Sequence, residues 1–387
     1  MNTPNPSKVT TSPFPTKSPT IEPDSRGTLG RRSFLKGLGA TGAACLPAAA
    51  LLTVPPSARA GGFGRGLTQG DVDILRFVTA AEIIETDLWL QYKELADHNA
   101  PFAAALSNLD ADMVQYVDDN TDDEDSHQKF LNAFLVSVGA APVNLDRFRT
   151  LNGSHATGAD MNRRWLTNLM HLNVDTSWYT RYRSTENPDF GAAFPQAVVI
   201  QDKPAIPATD ADLGPTNHLQ AIANTAAFHF PTIEQGGSSL YASLIPKATR
   251  QVVLRILAAI GGSEVNHFAV WHDKAGNAVA DPLAPLTDPV NGLTFPNLNA
   301  KSPRNLFQTN LIFPEPCDFI VEEGLPPCSI IRPTTTSQGG AVAAARFLSA
   351  MNLFLGQSKE FFDQLFELAA AADRARRQLD AAGYGDD

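Results

Sequence analysis

The pattern Glu-x-x-His occurs twice in this chain, at Glu124–His127 and at Glu264–His267. Residues three apart on an α-helix share a face, about 5–6 Å apart at Cβ. Each pair can therefore aim a carboxylate and an imidazole at one point. Two such helices facing each other, with one further carboxylate from each of two more helices, can surround two metal ions. Glu82 and Glu234 supply those further carboxylates, each within an apolar stripe. An acid in such a stripe is costly unless it is paired or bound. Carboxylate and imidazole donors suit iron and manganese. One Glu-x-x-His alone is weak evidence, and Glu124 has a plainer reading. Thr121-Asp122-Asp123-Glu124 fits a capping box, with Glu124 reaching back to a helix N-terminus.

Four long helices must position these groups. The first is predicted over about 71–96, with Thr68 as N-cap and Asp71 in its first turn. Leu75, Val78, Glu82, Glu85, Trp89 and Tyr92 recur along it at helical spacing. The second is expected over about 111–138, ended by Gly139 and Pro142. Its outer faces carry Asp118, Asp119, Asp122, Asp123 and Asp125, read as a solvated surface because the glycine of a calcium loop is missing. The third is expected over about 217–243, capped by Thr216 and kinked or broken at Pro231. The fourth is expected over about 248–273, where Gly261 and Gly262 permit close helix packing. Between the second and third lies an irregular connection, 142–215, with a short helix expected over 165–173. Residues 276–338 are rich in Pro and Asn, and 340–378 is read as helical with a break at Gly356. His229 and His272 are read as structural.

The order Glu, Glu-x-x-His, long crossover, Glu, Glu-x-x-His resembles the ferritin-like superfamily. Within it, the chain is similar to the ferritin-like family that includes the desiccation-related proteins. Glu82 and Trp89, seven residues apart, fit that family's opening helix, and Glu234 with Tyr241 repeats the spacing. The resemblance covers about 67–140 and 216–273. It implies an all-α fold: a ferritin-like four-helix bundle with one long crossover, plus irregular loops and an extra C-terminal helix. It further implies Glu82 and Glu234 as terminal ligands of two iron or manganese ions. Glu124 and Glu264 would bridge, and His127 and His267 would each bind one ion. Glu85, Trp89 and Tyr241 are expected beside the ligands rather than among them. No residue is singled out as catalytic.

The chain divides on this reading into a leader, 1–60; the bundle, 67–275; and wrapping loops with a C-terminal helical extension, 276–387. Arg31-Arg32 before Phe34-Leu35-Lys36, an apolar run to Val54 and Ala58-Arg59-Ala60 resemble a twin-arginine export signal. An ordinary secretory signal or a membrane anchor is the alternative. Export implies a periplasmic or extracellular protein and the twin-arginine export machinery as a partner. Cys317 and Cys328 are then expected to form a disulfide. The chain carries −11, and residues 1–60 carry +5, which leaves −16 on the remainder. So acidic a surface argues against nucleic acid as a partner. The expected chemistry is redox work on O2 or peroxide in stress defence. The rival is a non-catalytic bundle with a vestigial site, and a storage cage ranks last. Oligomeric state is not legible.

Overall fold

The computed structural model describes residues 66–181, 195–298, 311–313, 324–326, 328–330 and 339–378. The leader lies outside these residues, as does Cys317; Cys328 falls in a strand whose side chains are not described.

Helix α1 spans Gln69–His98. Its start follows from Thr68 and Asp71: the Thr68 hydroxyl accepts the Asp71 N–H at 3.1 Å, and Asp71 Oδ2 accepts the Thr68 N–H at 3.1 Å. The other oxygen of Asp71 accepts the N–H of Thr249 at 2.8 Å, tying this end to the entry of a later helix. A short helix that the sequence reading did not anticipate, α2 (Ala100–Leu109), follows at once, capped by Asn99. Helix α3 spans Met113–Ser137 without interruption. This overturns the capping-box alternative: Thr121 lies mid-helix, its hydroxyl donating to the Val117 carbonyl at 2.6 Å.

The described part of the connection after α3 holds two small antiparallel ribbons, β1 (Leu151–Asn152) with β2 (Arg164–Trp165) and β3 (Leu172–Val174) with β4 (Ile200–Lys203). A one-turn helix, α4 (Ser177–Arg181), separates β3 from β4. The helix expected over 165–173 does not form. Its backbone donors go to distant acceptors instead: Leu166 and Thr167 N–H to Asp87 Oδ2 at 2.9 and 3.0 Å, and Asn168 N–H to the Leu353 carbonyl at 2.7 Å. Arg149 pairs with the other Asp87 oxygen. One buried carboxylate of α1 thus fastens the crossover to the bundle.

Helix α5 (Thr216–Leu244) runs unbroken through Pro231, and almost every residue along it is buried. Packing on all sides outweighs the lost hydrogen bond at the proline. Thr216 is its first residue rather than its cap, since Pro215 holds the cap position and offers no side-chain acceptor. Helix α6 spans Gln251–Ala275. A ribbon of β5 (Leu286–Thr287) and β6 (Thr294–Phe295) follows, then a second of β7 (Leu311–Phe313) and β8 (Cys328–Ile330). The described part of the C-terminal extension contains two helices, α7 (Ala341–Ala350) and α8 (Lys359–Arg374). Gly356 between them has φ +94, a left-handed conformation that glycine adopts without penalty and that interrupts the helical run there. No helix among the described residues is long and apolar enough to cross a membrane.

The bundle is built from two antiparallel pairs, α1 with α3 and α5 with α6. Helix α8 covers α1 with Phe361, Leu365, Ala369 and Ala372, spaced to fall on one face. Helix α5 is covered by α2, α7 and the crossover, where the Trp178 indole donates to Thr232 Oγ at 2.9 Å. Hence α1 and α5 are buried nearly all round, whereas α3 and α6 each keep one face toward solvent.

Candidate metal centre

Glu82 from α1, Glu124 and His127 from α3, Glu234 from α5, and Glu264 and His267 from α6 meet inside the bundle. Ligand atoms of Glu82, Glu124, His127 and Glu264 all lie within 4.8 Å of one another, and so do those of Glu124, Glu234, Glu264 and His267. Glu124 and Glu264 belong to both groups. His127 Nδ1 lies 3.1 Å from Glu124 Oε2, 3.3 Å from Glu82 Oε2 and 3.6 Å from Glu264 Oε1. His267 Nδ1 lies 3.0 Å from Glu124 Oε1 and 3.4 Å from Glu234 Oε2. The two imidazole rings are 6.4 Å apart. All six candidate ligands thus meet in one place.

Two glycines let the helices carry these groups so close. A Cβ on Gly237 would stand 2.6 Å from Glu264 Oε2, so α5 leaves the space that this carboxylate fills. A Cβ on Gly261 would stand 2.7 Å from the Cβ of Tyr241. The absence of a side chain there seats Tyr241 against α6, and its hydroxyl donates to Glu82 Oε1. Trp89 lies two helical turns along α1 from Glu82. It stacks on Trp271 with centroids 5.4 Å apart, and Phe230 packs on both rings at 4.8 and 4.6 Å. Glu85, one turn along α1 from Glu82, is also buried, and its Oε2 has no hydrogen-bond partner.

Four participants were not foreseen. Asn120 donates its amide to Glu124 Oε1 at 3.0 Å and Glu234 Oε1 at 3.1 Å, while Trp271 Nε1 donates to Asn120 Oδ1 at 2.7 Å. Asp123, read from the sequence as part of a solvated face, lies 3.2 Å from His267 Nε2. Gly237 is the fourth. The available signals were the i, i+4 spacing of Asn120 to Glu124 and the glycine three residues after Glu234.

So many acids in one dry place cannot all stay ionised without compensation. Burial, then the neighbouring Glu124 carboxylate, pushes Glu82 up to about 7. Burial raises Glu234, and with the Glu124 charge it raises Glu85 and Glu264 well above the ordinary range. Burial also works to raise Glu124, but its contacts with His127 and His267 win and hold it far below an ordinary carboxylate. His127 shows the reverse balance: burial lowers it, contacts with Glu124 and Glu82 outweigh burial, and it rises to about 10.

The residues fit divalent ions on an independent observation. Glu82 Oε2, Glu234 Oε2, both oxygens of Glu264 and His267 Nδ1 are buried without a hydrogen-bond partner. Several lie within ion-pair distance of a neighbour but without hydrogen-bond geometry. Orphaned buried acceptors are rare because each carries a desolvation cost of about 1–3 kcal/mol. Here they all face the same interior space, and two divalent ions would neutralise the four shared and terminal carboxylates. The donors are oxygen and imidazole nitrogen, with no sulfur, a set that suits iron or manganese.

An all-α bundle with one long crossover and inward Glu and Glu-x-x-His groups defines a carboxylate bundle of the ferritin-like class. The chain belongs to the ferritin-like domain family, whose sequence profile matches residues 70–277. No curated protein and no solved structure matches the chain significantly.

Proposed function

We propose that this is an exported di-iron or di-manganese carboxylate protein that carries out redox chemistry on O2 or peroxide. The observation that carries the reading is the set of unpartnered buried ligand atoms converging from four helices. Glu82 and His127 would hold one ion, Glu234 and His267 the other, and Glu124 and Glu264 would span both. When bound, paired ions of this kind supply two electrons to one oxygen species. The chain's own part is to hold the carboxylates in register, exclude water and manage protons. Tyr241 keeps Glu82 oriented, and Asn120 does the same for Glu124 and Glu234. The Trp89–Trp271–Phe230 layer packs beside Asn120, which its Trp271 indole holds.

Export rests on the Arg31-Arg32 motif, and twin-arginine transport suits the proposal because it moves folded proteins that already hold their metal. A periplasmic or extracellular location, kinship with the desiccation-related proteins, a role in stress defence and the Cys317–Cys328 bridge belong to the same proposal. A second reading, a non-catalytic bundle, is favoured by one observation: His127 beside Glu124 can balance charge without metal. The two readings separate on consumption of O2 or peroxide by protein loaded with Fe(II) or Mn(II). The redox reading expects consumption that is abolished in Glu264→Ala; a fully loaded protein that consumes neither oxidant favours the inert bundle.

A further inference from the structure

The two halves of the bundle repeat the ligands but not what surrounds them. Glu82 corresponds to Glu234, Glu124 to Glu264 and His127 to His267. Around them, Asp123 corresponds to Ser263, Asn120 to Ile260, Glu85 to Gly237 and Trp89 to Tyr241. We infer that the two metal positions are inequivalent and fill in order, the Glu234/His267 position first, with Asp123 and Asn120 as the positioning residues. This rests on the two-ion reading above.

The difference lies mainly in the histidines. Asp123 Oδ2 lies 3.2 Å from His267 Nε2, so that nitrogen can keep its proton, directed at Asp123, while Nδ1, directed at the carboxylate oxygens, is the one that would bind an ion. A metal-binding imidazole whose other nitrogen is held by a carboxylate is fixed in orientation and is more basic. Asp123 also places a negative charge just behind the ring. His127 turns Nδ1 toward the same interior, but no side chain among the described residues hydrogen-bonds its Nε2, and its side chain is 12% exposed against 6% for His267. Ser263, at the corresponding place on α6, carries no charge. His267 is thus held at both ring nitrogens and His127 by its Nδ1 contacts alone, so His127 has more orientational freedom to lose when it binds.

The carboxylates add to this difference. The Asn120 amide bridges Glu124 and Glu234, and the Trp271 indole fixes which way that amide points. On the other side Ile260 has nothing to donate, and outside the ligand set itself Glu82 is held by the Tyr241 hydroxyl. The Glu234/His267 position thus has three of its four ligands set before any ion arrives.

The test is a titration of metal-stripped full-length chain with Mn(II), followed by calorimetry and by electron paramagnetic resonance. The expected result is two steps separated by about tenfold or more, with an uncoupled Mn(II) signal at the first equivalent and a coupled pair at the second. Asp123→Ala should weaken the first step by about 10–100-fold and spare the second. Asp123→Asn, which can still accept from Nε2, should restore most of the loss. Ser263→Asp should tighten the second step. A purely structural role for Asp123 would lower thermal stability without changing the separation of the steps. Two ions of equal affinity, or a first step unmoved by Asp123→Ala, overturns the inference and leaves the two-ion reading intact. No binding of Mn(II), nor of Fe(II) under anaerobic conditions, overturns the two-ion reading itself and the inference with it.

Discussion

Tyr241 on α5 donates its hydroxyl to Glu82 on α1, and it does so from a backbone pressed against Gly261 of α6. One glycine therefore sets the position of a phenol that in turn orients a buried carboxylate in the other helix pair. Gly261→Ala forces a Cβ to within 2.7 Å of the Tyr241 Cβ, which is no flexible tip. Overpacking of this kind costs about 1–3 kcal/mol. Denaturant unfolding of the metal-free variant should show that loss.

Gly237→Ala should behave differently. The atom in the way is Glu264 Oε2, the far end of a flexible side chain, at 2.6 Å. The carboxylate can swing aside, so the metal-free protein should lose little stability. Metal binding should be lost, because Glu264 belongs to both ligand groups. Melting curves with and without Mn(II) check both halves: the variant should melt near wild type without metal and gain nothing from it.

Asp87 fastens the crossover, and its removal strands several groups at once. Asp87→Ala leaves the N–H groups of Leu166 and Thr167 and the Thr167 hydroxyl without their acceptor. A loss of about 3 kcal/mol is expected, with little added for the partly exposed Arg149. Hydrogen exchange should localise the opening to residues 164–170.

His229 sets a pH dependence unrelated to metal. It is fully buried, its Nδ1 lies 2.8 Å from the Tyr92 hydroxyl, and burial pushes it down to about 3 from the ordinary 6.5. Between those values the unfolded chain binds a proton that the folded chain refuses. Stability is therefore lost as pH falls through that window, by about 1.4 kcal/mol per pH unit. His229→Gln keeps a partner for Tyr92 and should flatten that slope relative to wild type in urea titrations.

Much of the centre was legible because its chemistry is local. Glu-x-x-His lies within one helical turn, and the accompanying Glu residues stand in long apolar stripes that only a buried helix explains. What escaped notice depends on pairing between helices. Asp123 looks like one more acid on a wet face until α6 brings His267 beside it. Gly237 looks like a weak point in α5 until Glu264 occupies the space. The extended course of 165–173 was hidden because its hydrogen-bond partners, Asp87 and Leu353, lie far away in sequence. The interruption at Gly356 was visible because glycine in a left-handed conformation acts locally.

The most direct measurement of the central claim is metal content per chain, with the protons released on binding. Metal entering this cluster must displace protons from Glu82, held near 7, and from the more strongly raised Glu85 and Glu264 or from His127, held near 10. Affinity should therefore rise with pH through neutrality. The account predicts about two ions per wild-type chain, about one in His267→Ala and none in Glu264→Ala, with proton release at pH 7 seen as buffer-dependent binding heat. Wild-type protein that takes up neither iron nor manganese, or Glu264→Ala that still holds both ions, would contradict it.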